Sequence, residues 1–247
     1  METSTPALSP RAVWMARVRR LLGPRWTVKM RCLTRGLGLP RWGNLRRVQP
    51  FSENFGFDRG TAVDRYYLEK FLERHRELIS GRVLEIQSPG YTSRYGQNVV
   101  ESHTVDVLPE FNSTYVCDLA KSEGVIPSEY YDCFLLPNTL SVLQDIGACL
   151  AQALRVVKPG GAILASAAGL VPLTSDGGDY WHLSEAGWRE IAERSWPDCR
   201  VDVRSHGNCL IATAAIMGLA YEELDADELD AHDPRYPVLV TLLCRKP

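Results

Sequence analysis

The sequence lacks several features that mark common classes of protein. No apolar run approaches the roughly 20 residues that a membrane-spanning helix needs, so we expect no such helix. The first ten residues lack a basic start followed by an apolar segment, which predicts no signal peptide and a cytoplasmic protein. The seven cysteines are never spaced as Cys-x-x-Cys. We therefore expect reduced thiols rather than zinc ligands or disulfides.

Acidic residues are almost missing from the first fifty positions. Residues 1–50 hold 11 Lys or Arg and one acid, Glu2, whereas residues 51–247 hold 17 basic and 29 acidic residues. We predict a basic N-terminal extension or lid (1–50) and a larger domain (51–247). Residues 11–22 would form a short basic helix. The sequence leaves its partner open. The alternatives are the acidic larger domain, a phosphate-bearing or nucleotide-linked substrate and, less favoured, a membrane surface or nucleic acid.

The larger domain alternates helix and strand patterns without internal repeats. Residues 61–80 have the apolar spacing of an amphipathic helix, with Thr61 as its cap. Short apolar runs predict seven strands, at residues 82–86, 103–107, 115–117, 131–136, 162–167, 200–204 and 238–245. This alternation predicts an α/β fold with a doubly wound, mostly parallel sheet and helices on both faces.

Residues 154–166 carry the most informative local pattern in the chain. The Lys-Pro-Gly-Gly run at 158–161 ends a helical pattern and supplies a turn before an apolar strand. Placed after Tyr-Asp-Cys-Phe-Leu-Leu (131–136), it resembles the fourth-strand, helix, fifth-strand passage of class I S-adenosylmethionine (SAM) methyltransferases. The resemblance implies a Rossmann-like, seven-stranded sheet whose last strand, here 237–244, is antiparallel.

The resemblance also implies a row of cofactor-binding residues. In doubly wound sheets a ligand lies across the carboxyl ends of the strands. Glu85 and Asp106, 21 residues apart, lie near the ends of the first two strands. The family uses the first acid to organise the methionine end of SAM and the second to accept the ribose hydroxyls. Asp118 matches the position that binds the adenine amino group. The residues expected to contact SAM are Glu85, Gln87, Gly90, Asp106, Asp118, Leu119, which would pack on the ring, and Asn138.

One loop departs from the family pattern. The family places Glu-x-Gly-x-Gly-x-Gly after its first strand, because a side chain there would block the approach of the cofactor to the backbone. In this chain Gln87, Pro89 and Tyr91 replace the three glycines, and Gly90 remains. Two consequences stay open. Either SAM binds with its methionine end displaced, or the fold has lost SAM binding.

Four motifs resemble a bacterial subgroup of these enzymes over residues 53–247. They are Asn-Phe-Gly-Phe-Asp-Arg-Gly-Thr-x-Val-Asp-Arg-Tyr-Tyr (54–67), Tyr-Thr-x-x-Tyr/Phe-Gly (91–96), Gly-Asp-Tyr-Trp (178–181) and His-Asp-Pro-x-Tyr (232–236). Members of the subgroup also depart from the glycine pattern, and they often accompany, or are fused to, glycosyltransferases. The resemblance implies a small-molecule or glycan acceptor, methylated on an oxygen, and a glycosyltransferase as a possible protein partner.

The remaining motifs concern the methyl acceptor. Transfer from a sulfonium needs a nucleophile in line with the departing sulfur, and a sugar hydroxyl must also lose its proton. His182 is the first candidate base, with Asp179 to orient or replace it, and His206 is the second. The candidate substrate-binding residues are Arg59, Arg65, Tyr66, Tyr180 and Trp181.

Each of these assignments has a structural alternative. The segment around Arg59 and Arg65 would equally form a salt-bridged entrance to a helix. Tyr180 and Trp181 would pack ahead of a helix at 185–194 that Ser184 caps.

Other chemistries receive less support from the sequence. Asp176, Asp179 and His206 together would offer ligands for magnesium, but nothing specifies a metal, and we expect none. Nucleic-acid methylation is disfavoured because residues 136–139 read Leu-Pro-Asn-Thr, without the Asn/Asp-Pro-Pro-aromatic signature of base-amino methyltransferases. The rival function is a methyltransferase-fold protein that no longer methylates and serves as the binding partner of a glycosyltransferase.

Overall fold

A computed structural model describes residues 25–26, 28–37, 40–174 and 178–247. By internal contacts the chain divides after Val48 into two units. In the first unit, residues 28–34 are helical, and Gly36, with φ +65°, allows the Leu37 amide to donate to the Cys32 carbonyl and end the helix. The predicted lid role of residues 1–50 stays a prediction, and residues 11–22 lie outside the described residues. None of the described helices is long and apolar enough to cross a membrane.

The larger unit, residues 49–247, is built on a seven-stranded sheet. Its strands are β1 Gly81–Ile86, β2 Val99–Asp106, β3 Tyr115–Val116, β4 Tyr131–Leu136, β5 Val157–Ala168, β6 Arg200–His206 and β7 Leu239–Arg245. Their order is β3-β2-β1-β4-β5-β7-β6, and β7 runs antiparallel to both neighbours. The predicted Rossmann-like α/β sheet with an antiparallel last strand is confirmed.

Helices cover both faces of this sheet. Among the described residues they are α1 Val63–Arg74, α2 Gly90–Tyr95, α3 Ile146–Val156, α4 Glu185–Ser195, α5 Cys209–Met217 and α6 Ala226–Asp230. Along β4, Phe134 and Leu136 join the core cluster under α3 and α4, whereas Cys133 and Leu135 join the cluster under α1 and α5. Since alternate residues of a strand point to opposite faces, the two clusters are the two halves of the core.

The first of these helices differs from its predicted bounds. The prediction was 61–80 with Thr61 as cap, but α1 begins at Val63 and its N-cap is Ala62, which has no capping side chain. Thr61 instead donates both its hydroxyl (2.6 Å) and its amide (2.9 Å) to the Glu222 carboxylate. The predicted cap is therefore wrong, because a partner 161 residues along the chain takes the hydroxyl.

The Lys-Pro-Gly-Gly run lies inside β5 as a bulge instead of ahead of it as a turn. Helix α3 ends at Val156, β5 begins at the next residue, and the register with β4 shifts across the run. Gly160 has a φ of +79°, a region that favours glycine. A Cβ on Gly161 would come within 2.8 Å of the Asp132 carbonyl oxygen. The two glycines are thus required for different reasons, conformation at the first and space at the second.

We predict that Gly160→Ala lowers the free energy of unfolding by about 1–2 kcal/mol, the cost of a left-handed conformation for a residue with a Cβ. Nothing described lies within 4 Å of the new Cβ, so the effect isolates the backbone. Gly160→Asn is the matched comparison and should lose less, because asparagine adopts this conformation more readily. Urea unfolding measures both variants, and an alanine variant as stable as the wild type would contradict the prediction.

Candidate functional site

The candidate site lies at the carboxyl ends of β1, β2 and β4. These strands are parallel and adjacent, so the segments that follow them meet at one edge of the sheet. Strand order reverses between β1 and β4, the point where ligands bind in open α/β sheets. Glu85, Asp106 and Asn138 are all at or just beyond these strand ends.

Glu85 holds the loop that connects β1 to α2. The residue is 1% exposed, and both carboxylate oxygens are engaged. Oε1 accepts from the Tyr91 amide (3.0 Å), and Oε2 accepts from the amide (2.8 Å) and hydroxyl (2.6 Å) of Thr92. Burial raises the pKa of Glu85, while these hydrogen bonds act in the opposite direction. The acid therefore satisfies the first amides of α2, which have no partner inside the helix.

Gln87 follows a backbone path that normally belongs to glycine. Its φ is +66°, in the left-handed region. Two hydrogen bonds fix this conformation: the Gln87 amide donates to the Val105 carbonyl (2.9 Å), and the Ser113 hydroxyl donates to the Gln87 carbonyl (3.1 Å). The loop thus retains a glycine-like conformation although the glycine is replaced.

At Gly90 the relevant property is the space around the residue, whereas at Gln87 it is the backbone conformation. A Cβ built on Gly90 would meet, within 4 Å, the Ser88 hydroxyl oxygen alone, at the ordinary contact distance of 3.6 Å. The described protein atoms therefore leave room for a side chain at this position. That room lies at the first turn of α2, beside the strand ends.

Two further acids predicted to contact SAM are held by backbone amides. The Asp106 carboxylate accepts from the Leu108 amide (2.8 Å), and the Asp118 carboxylate accepts from the Ala120 amide (3.0 Å) and caps a 3₁₀ turn. Leu119 is buried in the core cluster under α3. The structure places both acids just beyond β2 and β3, and their contacts with a cofactor stay predictions.

Asn138 joins the end of β4 to the start of α1. Its amide donates to the Ser166 hydroxyl (2.7 Å), which in turn donates to the Asn138 side-chain oxygen (3.0 Å). The Asn138 side-chain nitrogen donates to the Asp64 carboxylate, and Arg65 binds the same oxygen at 2.7 Å. Three elements, β4, β5 and α1, are therefore connected through one asparagine.

A cavity of about 210 Å³ opens beside this cluster. Its polar wall includes Arg65, Asn138 and Asp179, and its apolar wall includes Phe55 and Phe57. The Arg65 guanidinium lies 5.7 Å from the centroid of the Phe57 ring. Sites for whole ligands usually measure about 300–1,000 Å³, so this cavity suits one ring-sized group and not a complete nucleoside.

Asp179 and His182 are in contact at this wall. His182 Nε2 lies 3.2 Å from Asp179 Oδ1, and His182 Nδ1 lies 2.7 Å from the Gly169 carbonyl oxygen. The other Asp179 oxygen accepts from both the amide and the hydroxyl of Thr174, each at 2.6 Å. Burial alone would raise the pKa of Asp179, but the hydrogen bonds from Thr174 and His182 together lower it. Of the pair, it is Asp179 that lines the cavity.

His206 lies in a different cavity, of about 690 Å³, lined by residues of α1, β6 and residues 229–232. Among the described residues the two cavities share no lining residue. Leu239 of β7 pairs with Ala168 on one side and with His206 on the other, so a strand separates His206 from the first cavity. The structure brings Asp179 and His182 together but does not add His206 to them.

The magnesium alternative gains no support from the described part of the chain. There, no group of three His, Cys, Asp or Glu residues is arranged to hold a metal ion. Asp176, which the alternative requires, lies outside the described residues.

The predicted substrate-binding residues fall in two groups. Arg65 lines the small cavity. Arg59 instead binds Glu223 through both Nε (3.0 Å) and Nη2, and Tyr66 donates its hydroxyl to Asp230 (2.8 Å). These two side chains are thus engaged with the segment after α5 rather than with the cavity.

Tyr180 and Trp181 contact the segment after β4. Both amides donate to the Ser141 carbonyl, and the Trp181 indole donates to the Leu143 carbonyl (2.8 Å). Trp181 packs against the core, whereas Tyr180 is exposed. The structural alternative predicted for Trp181 describes its observed position, as does the Ser184 cap, whose hydroxyl accepts from the Gly187 amide (3.3 Å).

Several residues of the site were not assigned from the sequence. Phe55, Phe57 and Thr174 line the cavity, and Ser166 orients Asn138. The two phenylalanines stand in the Asn-Phe-Gly-Phe motif at 54–57, so the resemblance contained their signal. No sequence signal marks Thr174 or Ser166. Ser166 contacts a residue 28 positions away in the sequence, and Thr174 belongs to no motif.

No protein-family model and no curated protein matches the sequence. Among solved structures, the chain is similar to a SAM-dependent methyltransferase from Archaeoglobus fulgidus, with a TM-score of 0.51 and 15% identity over 79% of this chain and 100% of that one. It is also similar to a SAM-dependent methyltransferase from Mesorhizobium loti, with a TM-score of 0.50 and 14% identity over 75% and 98%. The fold is that of class I SAM-dependent methyltransferases. At these identities the likeness extends to the fold, and the bacterial subgroup stays a prediction.

His206 generates a prediction about pH. Burial, followed by repulsion from His232 and Arg74, lowers its pKa to about 4, against an ordinary value of about 6.5. As pH falls below about 6.5, this histidine binds a proton in the unfolded chain but not in the folded protein. The free energy of unfolding therefore decreases until about pH 4, by at most roughly 1.4 kcal/mol per pH unit. We predict that His206→Gln flattens this decline. Urea unfolding at several pH values tests it, and parallel declines for the two proteins would contradict it.

Proposed function

We propose that the protein is a SAM-dependent methyltransferase that methylates an oxygen of a sugar or glycosylated small molecule. Because one fold hosts many functions, the proposal depends on the site. The observation that carries it is the loop after β1, where Gln87 keeps the left-handed conformation and Gly90 leaves room beside the strand ends. These two features support the placement of SAM at this loop, despite its altered sequence.

In this proposal, different residues at the strand ends bind different parts of SAM. The loop from Gln87 to Gly90 would accommodate the methionine end, Asp106 would accept hydrogen bonds from the ribose hydroxyls, and Asp118 would accept one from the adenine amino group. Both acids are already oriented by backbone amides, which reduces the entropy lost on binding. When bound, SAM supplies an electrophilic methyl group.

The small cavity holds the acceptor in this proposal. Phe57 offers an apolar ring surface, and Arg65, Asn138 and Asp179 offer hydrogen-bond partners, a combination that suits the faces and hydroxyls of one sugar ring. Asp179 contacts the acceptor hydroxyl and takes its proton. His182 acts behind it as a positioning residue, because both of its nitrogens face oxygen atoms and Asp179 is the member of the pair that lines the cavity.

A second candidate function has one observation in its favour. Tyr91 adds a partly buried side chain, stacked on Tyr95 at 6.4 Å, where the family has glycine. If this ring occupies space that the methionine end of SAM needs, the protein would be a non-catalytic binding partner of a glycosyltransferase. A glycosyltransferase partner and a cytoplasmic location remain predictions under either function.

Cofactor binding separates the two functions. We expect isothermal titration to show binding of SAM and S-adenosylhomocysteine by the wild type, and at least tenfold weaker binding by Gly90→Ala, since the new Cβ would project where the cofactor approaches the backbone. Gly147→Ala is the matched control, because its Cβ also meets a single side-chain oxygen, that of Asp145 at 3.8 Å, within the first turn of α3. No wild-type binding at millimolar cofactor would favour the non-catalytic function, and equal binding by Gly90→Ala would overturn the placement of the cofactor.

The assignment of Asp179 predicts a separate kinetic result. Asp179→Asn should lower kcat by about 10²–10⁴, the usual contribution of a general base, while the affinity for SAM stays unchanged. Methyl transfer from radiolabelled SAM to a panel of methyl glycosides and nucleotide sugars provides the measurement. Glu190→Gln, on the exposed surface of α4, is the control. Full kcat in Asp179→Asn would show that another group accepts the proton.

A further inference from the structure

Residues 25–48 form a strongly cationic segment. They contain seven Lys or Arg and no Asp or Glu. The charged side chains of the segment itself are therefore all positive. Lys29 places its ammonium 5.2 Å from the centre of the Trp26 ring. An anionic surface is the partner that this charge favours.

The same segment exposes large apolar side chains. Trp26 is 57% exposed, Trp42 is 55% exposed and Val48 is 94% exposed. Val28, Met30, Leu33, Leu37 and Leu45 are exposed as well. Scattered single exposures are normal on a protein surface, but this many within 24 residues make a stretch of chain whose apolar side chains the described residues leave exposed.

Cationic and apolar side chains are interleaved in space as well as in sequence. They line one open groove of about 980 Å³. We call its wall the basic-apolar patch, which consists of Arg25, Trp26, Val28, Lys29, Trp42, Leu45, Arg46, Arg47 and Val48. Any partner of the patch must therefore offer negative charge and apolar groups at the same place.

We propose that the basic-apolar patch binds the surface of a membrane that contains anionic phospholipids. The Lys and Arg side chains bind the anionic headgroups of such a membrane, the tryptophans lie at the interface, and the aliphatic side chains insert into the acyl region. Nucleic acid would use the cations and the two tryptophans, but it has no counterpart for Val28, Leu45 and Val48. The exposed aliphatic side chains therefore favour lipid. This inference is independent of methyl transfer.

Vesicle sedimentation with the full chain tests the proposal. Wild-type protein should bind vesicles of equal parts phosphatidylcholine and phosphatidylglycerol, should bind phosphatidylcholine alone at least tenfold more weakly, and should release as salt is raised. Arg25→Gln with Arg46→Gln removes two cations of the patch and should weaken binding roughly 25-fold, from about five-fold for each cation removed. Trp26→Ala with Trp42→Ala should weaken it at least tenfold on the same vesicles.

A control pair removes the same charge from the larger unit. Arg194→Gln with Arg200→Gln substitutes exposed residues of α4 and β6 and should bind anionic vesicles like the wild type. Urea unfolding of each variant shows whether the fold is retained, and the arginine pair decides the question if the tryptophan pair aggregates. Equal binding to neutral vesicles, an equal loss in the control pair, or displacement of vesicles by single-stranded RNA would each overturn the proposal.

Discussion

The buried carboxylate of Glu85 is the contact on which the candidate site depends. A buried carboxyl group is costly unless it is hydrogen-bonded, and its three donors all come from Tyr91 and Thr92. Moving the loop away would leave these buried oxygen atoms without hydrogen-bond donors. The start of α2 is therefore fixed at the end of β1, and the residues between them, including Gln87, have one path available. A loop held in this way loses little further entropy when a ligand binds.

The hydrogen bond from Asn138 to Asp64 has a comparable role at the small cavity. It joins the end of β4 to the first turn of α1, and so brings Arg65 and Phe57 to the same wall as the strand ends. Residues 174–182 reach this wall from beyond β5, where Thr174 and His182 hold the Asp179 carboxylate. The cavity is thus assembled from segments on both sides of the sheet. The volume of the cavity therefore depends on how these segments pack together, since no single element encloses it.

The sequence predicted the parts of this structure that depend on local pattern. Apolar periodicity located the strands, and the resemblance supplied the antiparallel direction of the last strand. Contacts between distant segments could not be predicted. For example, the Thr61 hydroxyl, which the pattern assigned to a helix cap, donates a hydrogen bond to Glu222 instead. Likewise β7 enters the sheet between β5 and β6, which run parallel to each other, and this insertion separates His206 at the end of β6 from Asp179, which lies beyond β5. Order along the chain carries no information on such an insertion without the family's topology.

The glycine loop shows why a sequence pattern and a physical requirement need not coincide. A glycine in such a loop meets two separate demands, a left-handed backbone and open space for a ligand. At position 87 the first demand is met by a glutamine, whose conformational cost of about 1–2 kcal/mol is offset by hydrogen bonds to Val105 and Ser113. At position 90, which the family pattern leaves variable, the described protein atoms leave room for a side chain. At position 87 the replacement therefore changes the side chain and keeps a left-handed backbone, and Tyr91 is the replacement that separates the two proposed functions.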